Sequence, residues 1–560
     1  MIKLQIIRIQ TVRELLLYKG FWDGILEAEQ NDNPFIEFAW FHKWWQIVGA
    51  NERVVVYAVK KDNDIIGFFP FSIKKKLGTN IFSLTGSNIA NYSGFVVKKG
   101  GAMQAVSFVF DEILKRHRHV LFLFHGLLES GISSQVIERY FVERQSYTSI
   151  FRTVTPYLAY GQTDFLTLFN ARKKMHGLDG QEKKLRNLGS LSGKTSEQTE
   201  LWQMFKLFDR CWSQKMDTSG FTVGKKKDFF EQLALVEGEA LQVEVDSLVF
   251  ENQWIAFTYG ICCRGRYVTY AFGHEPNFNL FGAGSLANQE TMKRIFLQGY
   301  KVFDLSIGYA PYKFDWYTDI DFTRKVLVSG ETKRAKLLHM CLATKERAKE
   351  ILKSSRRIVE WKRNVLGQWR YLVKRGHMKD WLHYTRKLFG KIFNYKYIDL
   401  YELAGSSSGI PLRPVGQLYE EMPIQEAMQL EHDNLIALFY KGYTIYKDCF
   451  AKTSKRAFAM HSEYWRIDAL QIVERLPKNT YFLAHDDSQN IEVTTAFFQK
   501  IKPTEALWVT ASFWQWRKRK RLQKLGYKRI SHMKLVKCGR FERSQVKNLS
   551  ENGGGIHSIN

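Results

Sequence analysis

Apolar and polar positions over residues 1–150 follow two periodicities, which predict helices alternating with strands. Helical spacing of apolar residues predicts helices over 12–30, 35–48 and 106–116. Runs of β-branched and aromatic residues predict strands over 54–59, 65–71, 95–97 and 120–124. Asp62, Asn63 and Asp64 favour a turn between the first two strands, so we expect a β-hairpin there.

Residues 151–330 repeat this layout at low sequence similarity. The same reasoning predicts helices over 165–188, 197–214, 228–236 and 286–298. It predicts a three-stranded meander over 241–250, 254–262 and 267–272, and a short buried strand over 302–307. Residues 1–150 and 151–330 are therefore predicted to be two halves of similar fold.

The remaining chain has two further parts and a tail. Residues 331–396 are predicted to form one or two basic amphipathic helices with interleaved tryptophans. This segment is either a solvated connector that packs on a neighbouring domain or a docking surface for anionic lipid or nucleic acid. Residues 397–545 are predicted to form another α/β domain. Within that domain we predict helices over 424–441, 491–500 and 514–525, and strands over 456–461, 464–470, 481–485, 506–511 and 527–536. Residues 546–560 are predicted to be a disordered tail.

Composition narrows the class of protein. The chain has 560 residues, 45% of them hydrophobic, which suits three or four domains with substantial cores. A net charge of +27 favours polyanionic partners such as nucleic acid, anionic membranes or nucleotide-linked ligands, unless it only reflects a basic proteome. The six cysteines form no zinc-like spacing, and no signal peptide or membrane span is expected, so the prediction is a cytoplasmic protein with reduced thiols.

Two stretches carry candidate chemistry. Residues 282–285, Gly-Ala-Gly-Ser, precede a predicted helix with Ser285 as its N-cap, and a helix start of this kind suits phosphate or pyrophosphate. Many helices also begin this way without binding anything. Residues 303–316 bring an acid, a glycine, a tyrosine and a lysine to the end of a strand, which is either a site or an amphipathic loop.

These two stretches, taken together, resemble a known family. The shared elements in order are Gly282 to Leu286, Phe303-Asp304, Gly308, Tyr312-Lys313 and Trp316. They resemble the closing signature of the GNAT-like acetyltransferase group associated with cellulose and exopolysaccharide biosynthesis, which is related to the Fem-type aminoacyl transferases. The segments 34–45, 54–57 and 66–70 are similar to the opening of that group, so the resemblance covers about residues 1–330.

The resemblance implies tandem GNAT-like mixed-sheet domains of the α/β (α+β) class, with acetyl-CoA or another acyl-CoA as donor and no metal. It places the donor near Gly282, Gly284, Ser285 and Leu286. The implied catalytic residues are Asp304, Tyr312 and Lys313, and the implied substrate-binding residues are Gly308, Trp316 and Arg186. Asp304 and Tyr312 are candidate proton acceptors and Lys313 a candidate phosphate partner, although Asp304 equally fits a buried acid that caps its loop.

The family's basic run at the start of the second half is present only loosely, at Lys183, Lys184 and Arg186. Residues 397–545 resemble a further single GNAT domain, on the strength of segments 481–485, 506–512 and 521–527. Where a glycine-rich pyrophosphate loop would stand, the chain has residues 486–490, Asp-Asp-Ser-Gln-Asn, so this domain is predicted to be degenerate or to bind differently.

Three functions remain open from the sequence. The first is an acyl-CoA-dependent N- or O-acyltransferase acting on a sugar or cell-envelope polysaccharide precursor. The second is an aminoacyl transferase that uses charged tRNA, which the net charge favours. The third is a non-catalytic component that tethers a polysaccharide-synthesis assembly to the inner face of the membrane through the basic segment 331–396.

Overall fold

The fold is described from a computed structural model of the chain. It describes residues 4–144, 146–162, 165–212, 221–354, 373, 393–405, 419–429, 433–448, 457–467, 472–486, 491–538 and 541–548. The chain divides into two compact units, Met1–Tyr371 and Leu372–Asn560. Among the described helices, none combines the length and apolarity that a bilayer span requires.

The N-terminal unit is built on one 13-stranded mixed sheet. Its strands are β1 (Leu4–Ile9), β2 (Val54–Lys61), β3 (Asp64–Lys76), β4 (Thr79–Leu84), β5 (Val96–Val97), β6 (Val120–Leu128), β7 (Tyr147–Ala159), β8 (Leu191–Thr195), β9 (Leu241–Phe250), β10 (Gln253–Cys263), β11 (Arg266–His274), β12 (Val302–Asp304) and β13 (Asp319–Ser329).

Helices connect these strands and cover the sheet. They are α1 (Val12–Leu16), α2 (Lys19–Ala28), α3 (Phe38–Ile47), α4 (Ala102–Arg116), α5 (Ile132–Glu143), α6 (Phe165–Met175), α7 (Leu178–Leu188), α8 (Leu201–Trp212), α9 (Lys225–Ala234), α10 (Ala283–Leu297), α11 (Pro311–Phe314) and α12 (Lys333–Ser354). The predicted α/β class is thereby confirmed.

The strand order shows that the two halves repeat one layout and exchange a strand. The order is β1-β2-β3-β4-β6-β13-β7-β12-β11-β10-β9-β8, with β5 paired to β3. In the first half, antiparallel strands are followed by the crossover helix α4, and β4 then pairs in parallel with β6. In the second half, antiparallel strands are followed by the crossover helix α10, and β11 then pairs in parallel with β12. Next to β6 lies β13 of the second half, and next to β12 lies β7 of the first. The halves therefore share one continuous sheet.

Some predicted boundaries differ from the observed ones. The predicted helix 165–188 is two helices, because Gly177 adopts a left-handed conformation with φ of 65° between them. The strand predicted over 302–307 ends at Asp304, because Ser306 has a φ of 70° and leaves the sheet. The limit predicted after residue 150 falls within β7, which is the strand that the first half lends to the second.

The first part of the predicted basic linker belongs to this unit. One face of α12 packs on the sheet through Ala335 and Leu338, which are buried, and Leu338 lies in an apolar cluster with Ile81 and Leu121. His339 Nε2 is 2.8 Å from Ser149 Oγ on β7. The prediction of further basic helices between 355 and 392 lies outside the described residues, except for residue 373.

The C-terminal unit contains an eight-stranded sheet and a two-stranded one. Its strands are β14 (Phe393–Leu403), β15 (Tyr419–Glu421), β16 (Thr444–Asp448), β17 (Ala457–His461), β18 (Tyr464–Ile467), β19 (Ile472–Arg475), β20 (Thr480–Asp486), β21 (Ala506–Ser512), β22 (Lys528–Cys538) and β23 (Phe541–Asn548). Its helices are α13 (Ile424–Gln429), α14 (Asp433–Tyr440), α15 (Ile491–Ile501) and α16 (Trp516–Lys524).

The larger sheet of this unit has the same core arrangement as each half of the N-terminal unit. Its order is β15-β16-β17-β20-β21-β14-β22-β23, with β20 and β21 parallel. Here β14 takes the place between β21 and β22 that β7 takes between β12 and β13. Residues 487–490 of the predicted atypical loop lie outside the described residues. The disordered tail predicted over 546–560 is wrong at its start, because β23 extends to Asn548, and residues 549–560 lie outside the described residues.

Candidate active site

A cleft of about 400 Å³ opens at the first turn of α10. Its other walls come from the end of β11, the turn between α6 and α7, and the short helix α11. The lining residues are His176, Leu178, Gln181, Phe272, His274, Asn279, Gly282, Gly284, Ser285, Asn288, Tyr312, Asp315 and Trp316. The two stretches that carry the sequence resemblance, 282–286 and 303–316, therefore each contribute to one cavity.

Local structure explains the glycines of the stretch 282–285. The N-cap of α10 is Gly282 and not Ser285, which is the third residue of the helix. The predicted cap was therefore wrong by three residues. Gly282 has a φ of 67°, and a Cβ there would overlap Gln181 Oε1. A Cβ at Gly284 would lie 3.0 Å from His274 Nδ1, which is closer than packing normally allows. Gly282 thus requires glycine for its backbone, and Gly284 leaves little room for a side chain beside His274, even before a ligand is considered.

Several polar atoms in the cleft have no protein partner. Asn288 is only 7% exposed, and its side-chain amide makes no hydrogen bond within the described part of the chain. His176 Nε2 and Gln181 Oε1 are also buried without a hydrogen-bond partner among the described residues. Buried polar groups normally find partners, so these three groups mark a place where a polar ligand would satisfy them.

Tyr312 and Trp316 form the aromatic wall of the cleft. The Tyr312 ring packs edge-on against Phe272, with ring centroids 5.3 Å apart. Trp316 is 4% exposed and packs against Phe169. Burial raises the pKa of Tyr312, so its hydroxyl keeps its proton at neutral pH.

His176 and Asp315 face each other across the cleft. His176 Nε2 lies 4.0 Å from Asp315 Oδ1, a distance for charge attraction rather than a hydrogen bond. His274, at the end of β11, lies with its Nδ1 3.9 Å from Cys211 Sγ. An imidazole beside a carboxylate is a common arrangement for accepting a proton.

Asp304 lies outside the cleft, in a buried network that joins remote segments. It is 1% exposed, and its carboxylate accepts hydrogen bonds from the Tyr92 hydroxyl at 2.7 Å and from Arg266 Nη1 at 2.9 Å. It also accepts from the backbone N–H of Ser306 at 2.7 Å. Burial raises the pKa of Asp304, and Arg266 opposes that rise. These contacts are those of the buried acid that caps its loop.

Lys313 is also buried and points away from the cleft lining. Its Nζ donates to the carbonyl oxygens of Ser306 at 3.0 Å and Ile307 at 2.8 Å. Those carbonyls belong to a turn in which Ser306 and Gly308 both have positive φ, 70° and 96°. Lys313 therefore holds the turn that connects β12 to the cleft residues of α11.

The pH dependence of the unfolding free energy should show that Lys313 is buried. Burial lowers the pKa of Lys313 to about 8, whereas an unfolded lysine has a pKa near 10.4. Below pH 8 both states are protonated. As pH rises further the folded state loses its proton first, so this group should add about 3 kcal/mol to the unfolding free energy by pH 10.4. Lys313→Met should lack this gain, so the difference between wild type and variant, measured by urea unfolding at several pH values, should widen in favour of wild type. A constant difference would contradict the prediction.

Three other predicted site residues also lie outside the cleft lining. Leu286 is 3% exposed and packs in the core side of α10. The Gly308 N–H donates to Val154 O at 2.8 Å, which fixes the turn against β7. Arg186 pairs with Glu182 and donates to Leu191 O at 2.9 Å. Of the ten predicted residues, the structure brings Gly282, Gly284, Ser285, Tyr312 and Trp316 together.

Sequence reasoning did not predict six polar members of the cleft: His176, Gln181, His274, Asn279, Asn288 and Asp315. Asn288 follows Gly284 by four residues, so helical spacing alone could have placed it on the same face. Asp315 lies inside the resembling stretch 303–316. His176 and Gln181 come from the α6–α7 turn, whose approach to α10 is a tertiary contact with no signal in the sequence.

A second cavity of about 250 Å³ lies in the first half. It adjoins Lys99, just before α4, and the start of α5, which is the place that the repeat makes equivalent to the cleft at α10 and α11. Its polar lining includes Glu29, Asp32 and Arg266. Arg266 Nε donates to Asp32 at 2.9 Å, so one arginine connects this cavity with the Asp304 network. Within the described residues, no group of three or more potential metal ligands occurs.

Part of the N-terminal unit matches a protein-family model. Residues 172–314 match the acetyltransferase (GNAT) domain. The GNAT match runs from α6 to α11 and includes every predicted site residue except Trp316. It supports the predicted acyltransferase fold and leaves the acyl donor and acceptor open.

Solved structures show distant similarity to this chain. A conserved protein of unknown function from Bacteroides thetaiotaomicron is 12% identical, with 59% of this chain and 100% of that chain aligned and a TM-score of 0.40. FemX is 11% identical, with 58% and 96% aligned and a TM-score of 0.39. A tandem GNAT protein from the clavulanic acid biosynthesis pathway is 10% identical, with 59% and 100% aligned and a TM-score of 0.37. A comparison with curated proteins found no significant match.

Proposed function

We propose that the cleft at α10 transfers an acyl group, in the simplest case acetyl, from an acyl-CoA thioester to an amine or hydroxyl. The observation that carries this proposal is the coincidence of the GNAT match with a cleft formed by a helix N-terminus, a protonated tyrosine and unpartnered amides. The proposed acceptor is a sugar or a precursor of a cell-envelope polysaccharide.

The cleft suits the diphosphate of CoA through its neutral donors. None of the described lining residues is a lysine or arginine. The first N–H groups of a helix have no intrahelical acceptor, and the helix dipole is positive at this end. Ser285 and Asn288 add a hydroxyl and a buried amide to the same wall. Anion binding here would rest on backbone N–H groups, as it commonly does at helix starts.

Two side chains are placed to move the protons of the reaction. Acceptor nitrogen or oxygen would attack the thioester carbonyl, the carbon–sulfur bond would break, and the acceptor would lose a proton. We assign the leaving thiolate's proton to the Tyr312 hydroxyl, because burial keeps it protonated. We assign the acceptor's proton to His176, whose Nε2 has no hydrogen-bond partner in the described part of the chain. Lys313 and Asp304 hold the turn that positions Tyr312.

The polar cavity of the first half shares no lining residue with the cleft at α10, so it would be a separate place for a sugar and not the acceptor position of the reaction. Carboxylates and amides of its wall, among them Glu29, Asn31 and Asp32, offer acceptors and donors for hydroxyl and amino groups. The association with polysaccharide biosynthesis rests on the sequence resemblance over residues 282–316 and remains part of this proposal.

A tRNA-dependent aminoacyl transfer is the second candidate, favoured by the net charge of +27. The two donors are told apart by what the purified protein binds and consumes. Labelled acetyl-CoA incubated with the protein and a panel of sugars and amino sugars should yield labelled product and free CoA thiol. Binding of charged tRNA with transfer of its aminoacyl group, and no use of acyl-CoA, would replace the first candidate by the second. Binding of neither donor would favour a non-catalytic role.

Gly284→Val should weaken acyl-CoA binding. Its side chain would enter the cleft at the first turn of α10 and press on His274, whose ring already lies 3.0 Å from the Cβ position. We expect calorimetry to show at least a ten-fold higher Kd, about 1.4 kcal/mol or more. Gly180→Val is the matched control, because a Cβ at that glycine of α7 meets no atom within 4 Å. Equal affinities of the two variants for acyl-CoA would contradict donor binding at the first turn of α10.

A further inference from the structure

The cavity of the first half differs from the cleft at α10 in the charges of its wall. All of its lining residues lie in the described part of the chain, and the charged ones are Glu29, Asp32, Lys99 and Arg266. Each acid has a base beside it, since Arg266 Nε donates to Asp32 at 2.9 Å and Lys99 Nζ lies 3.6 Å from a Glu29 carboxylate oxygen. The wall is therefore close to neutral, and its two carboxylates would repel the phosphates of a second CoA molecule.

The wall keeps hydrogen-bonding capacity that the protein does not use. Within the described residues, Asp32 Oδ1, Arg266 Nη2 and Asn31 Nδ2 make no hydrogen bond. A hydroxyl group both donates and accepts, so a hydroxyl-bearing ligand can satisfy a carboxylate, a guanidinium and an amide side by side. A zwitterion would instead have to break the ion pairs of the wall. Ile25 and Phe95 add buried apolar surface for the C–H face of a sugar ring.

Arg266 joins this wall to the buried network of Asp304. Its Nε donates to Asp32, and its Nη1 donates to Asp304 at 2.9 Å. The guanidinium is planar and binds both carboxylates in fixed directions, so a shift of the group at Asp32 also moves it relative to Asp304. A ligand that binds Asp32 and Arg266 in the cavity therefore acts on Asp304.

A second connection runs along the chain from the same wall. Residues 93–95 line the cavity, and the two residues before them contact the turn that follows β12. Asn91 Nδ2 donates to Ser306 Oγ at 2.7 Å, and the Tyr92 hydroxyl donates to Asp304 at 2.7 Å. Both connections thus end on the turn 304–308.

The turn 304–308 carries the connection to the cleft. Ser306 has a φ of 70°, which is uncommon for a residue other than glycine, so the turn depends on the contacts that hold it. Lys313 of α11 is one of these contacts, through the carbonyl oxygens of Ser306 and Ile307. Helix α11 also contains Tyr312, which lines the cleft, and Trp316 follows it. Stabilising the turn therefore stabilises one wall of the cleft.

We propose that the cavity of the first half binds one sugar ring as an effector, and that the bound sugar stabilises the turn 304–308 through Arg266. Sugar hydroxyls bond Asp32, Asn31 and the free N–H groups of Arg266, which holds the guanidinium in place on Asp304. Because the sugar binds better when the turn is ordered, it raises the population of that state. An effect on acyl transfer at α10 rests on the proposed function, whereas sugar binding and the ordering of the turn do not.

The first experiment is calorimetry of the full chain with glucose, glucosamine and N-acetylglucosamine, in the absence of acyl-CoA. Single rings suit the cavity, because about 250 Å³ is slightly below the usual range of ligand pockets, about 300–1,000 Å³. Asp32→Ala should raise the Kd of the bound sugar at least ~10-fold, since it removes an acceptor and frees Arg266. Asp23→Ala is the matched control and should bind as wild type does. Asp23 is also a partly exposed, paired carboxylate, 2.6 Å from Lys19 Nζ, but it lies outside the cavity.

The second experiment is hydrogen exchange of residues 304–316 with and without the sugar. At a sugar concentration of ten times its Kd, exchange in wild type should slow by up to about ten-fold. Arg266→Lys keeps the charge, but one ammonium cannot bind two carboxylates as the guanidinium does. Its turn should therefore gain no protection at saturating sugar. Circular dichroism checks that this variant is folded, and Asp32→Ala, at equal sugar concentration, should also show less protection than wild type.

Each outcome decides the proposal. Wild-type protein that binds none of the three sugars, or an Asp32→Ala variant that binds them as tightly as wild type, overturns it. Binding of glycine or glutamate in place of a sugar would assign the cavity to a zwitterion and also overturns it. Sugar binding with unchanged exchange over 304–316 removes the effector role. A protein that binds sugar and protects the turn but consumes no acyl-CoA would support this proposal and contradict only the proposed function.

Discussion

Replacement of Tyr312 by phenylalanine is expected to lower kcat for acyl transfer by about 10²–10⁴-fold, the usual contribution of a positioned acid. Tyr312 lines the cleft, and burial raises its pKa, so the hydroxyl carries a proton at neutral pH. It gives that proton to the leaving thiolate as the carbon–sulfur bond breaks, and the proton that His176 takes from the acceptor passes to solvent while solvent reprotonates Tyr312. The ring would remain on Phe272, 5.3 Å away, so the fold and the KM for acyl-CoA should change little.

The matched control is Tyr309→Phe. Tyr309 precedes Tyr312 by three residues but is 76% exposed, and its ring packs on Phe314 at 4.8 Å. Its removal should leave kcat within about two-fold, as expected for a surface change. His176→Gln, compared in the same assay, tests the other proton transfer: the variant should lower kcat, because it lacks the imidazole assigned to accept the acceptor's proton. A full kcat in Tyr312→Phe would mean that solvent or another group protonates the thiolate.

Replacement of Asp304 by alanine should have the largest effect on stability. It would leave the Tyr92 hydroxyl and the Ser306 N–H without their acceptor, and it would leave Arg266 with Asp32 alone. Breaking one side of a buried ion pair costs about 3–5 kcal/mol. The loss should appear as faster hydrogen exchange in β12 and β7, measured in increasing urea, because Asp304 lies where these two strands pair.

Asp32→Ala tests whether the loss of stability comes from the burial of the Asp304 carboxylate or only from its charge. Asp32 pairs with the same Arg266 at 2.9 Å, but its side chain is 41% exposed, so its loss should cost about 1 kcal/mol or less. Asp304→Asn adds a test of the predicted catalytic role. A variant that stays folded but loses acyl transfer would support Asp304 as a proton acceptor, whereas a variant that is destabilised and still active would leave it the role of holding the loop.

The spacing of apolar residues along the chain predicted those helices and strands in which that spacing is regular. The hairpin of β2 and β3, the meander of β9 to β11 and the helix α10 were predicted within a few residues. The larger errors are elements that were not predicted, among them β1, β4, β7, β13 and α5. Left-handed residues changed two predicted limits, since Gly177 divides the helix predicted over 165–188 and Ser306 shortens the strand predicted over 302–307. Glycine marks the first of these points, but a serine with positive φ has no sequence signal.

The sequence by itself determined the α/β class, the repeated layout and the two stretches that meet at the cleft. These follow from side-chain periodicity and from ordered motifs, which are local properties. Only the tertiary structure decided that β7 and β13 change places, that Asp304 and Lys313 are buried beside the cleft, and that His176, Gln181 and Asn288 line it. Strand exchange and the partners of a buried polar group depend on segments about 100 to 200 residues apart, whose pairing is fixed by the packing of the whole sheet.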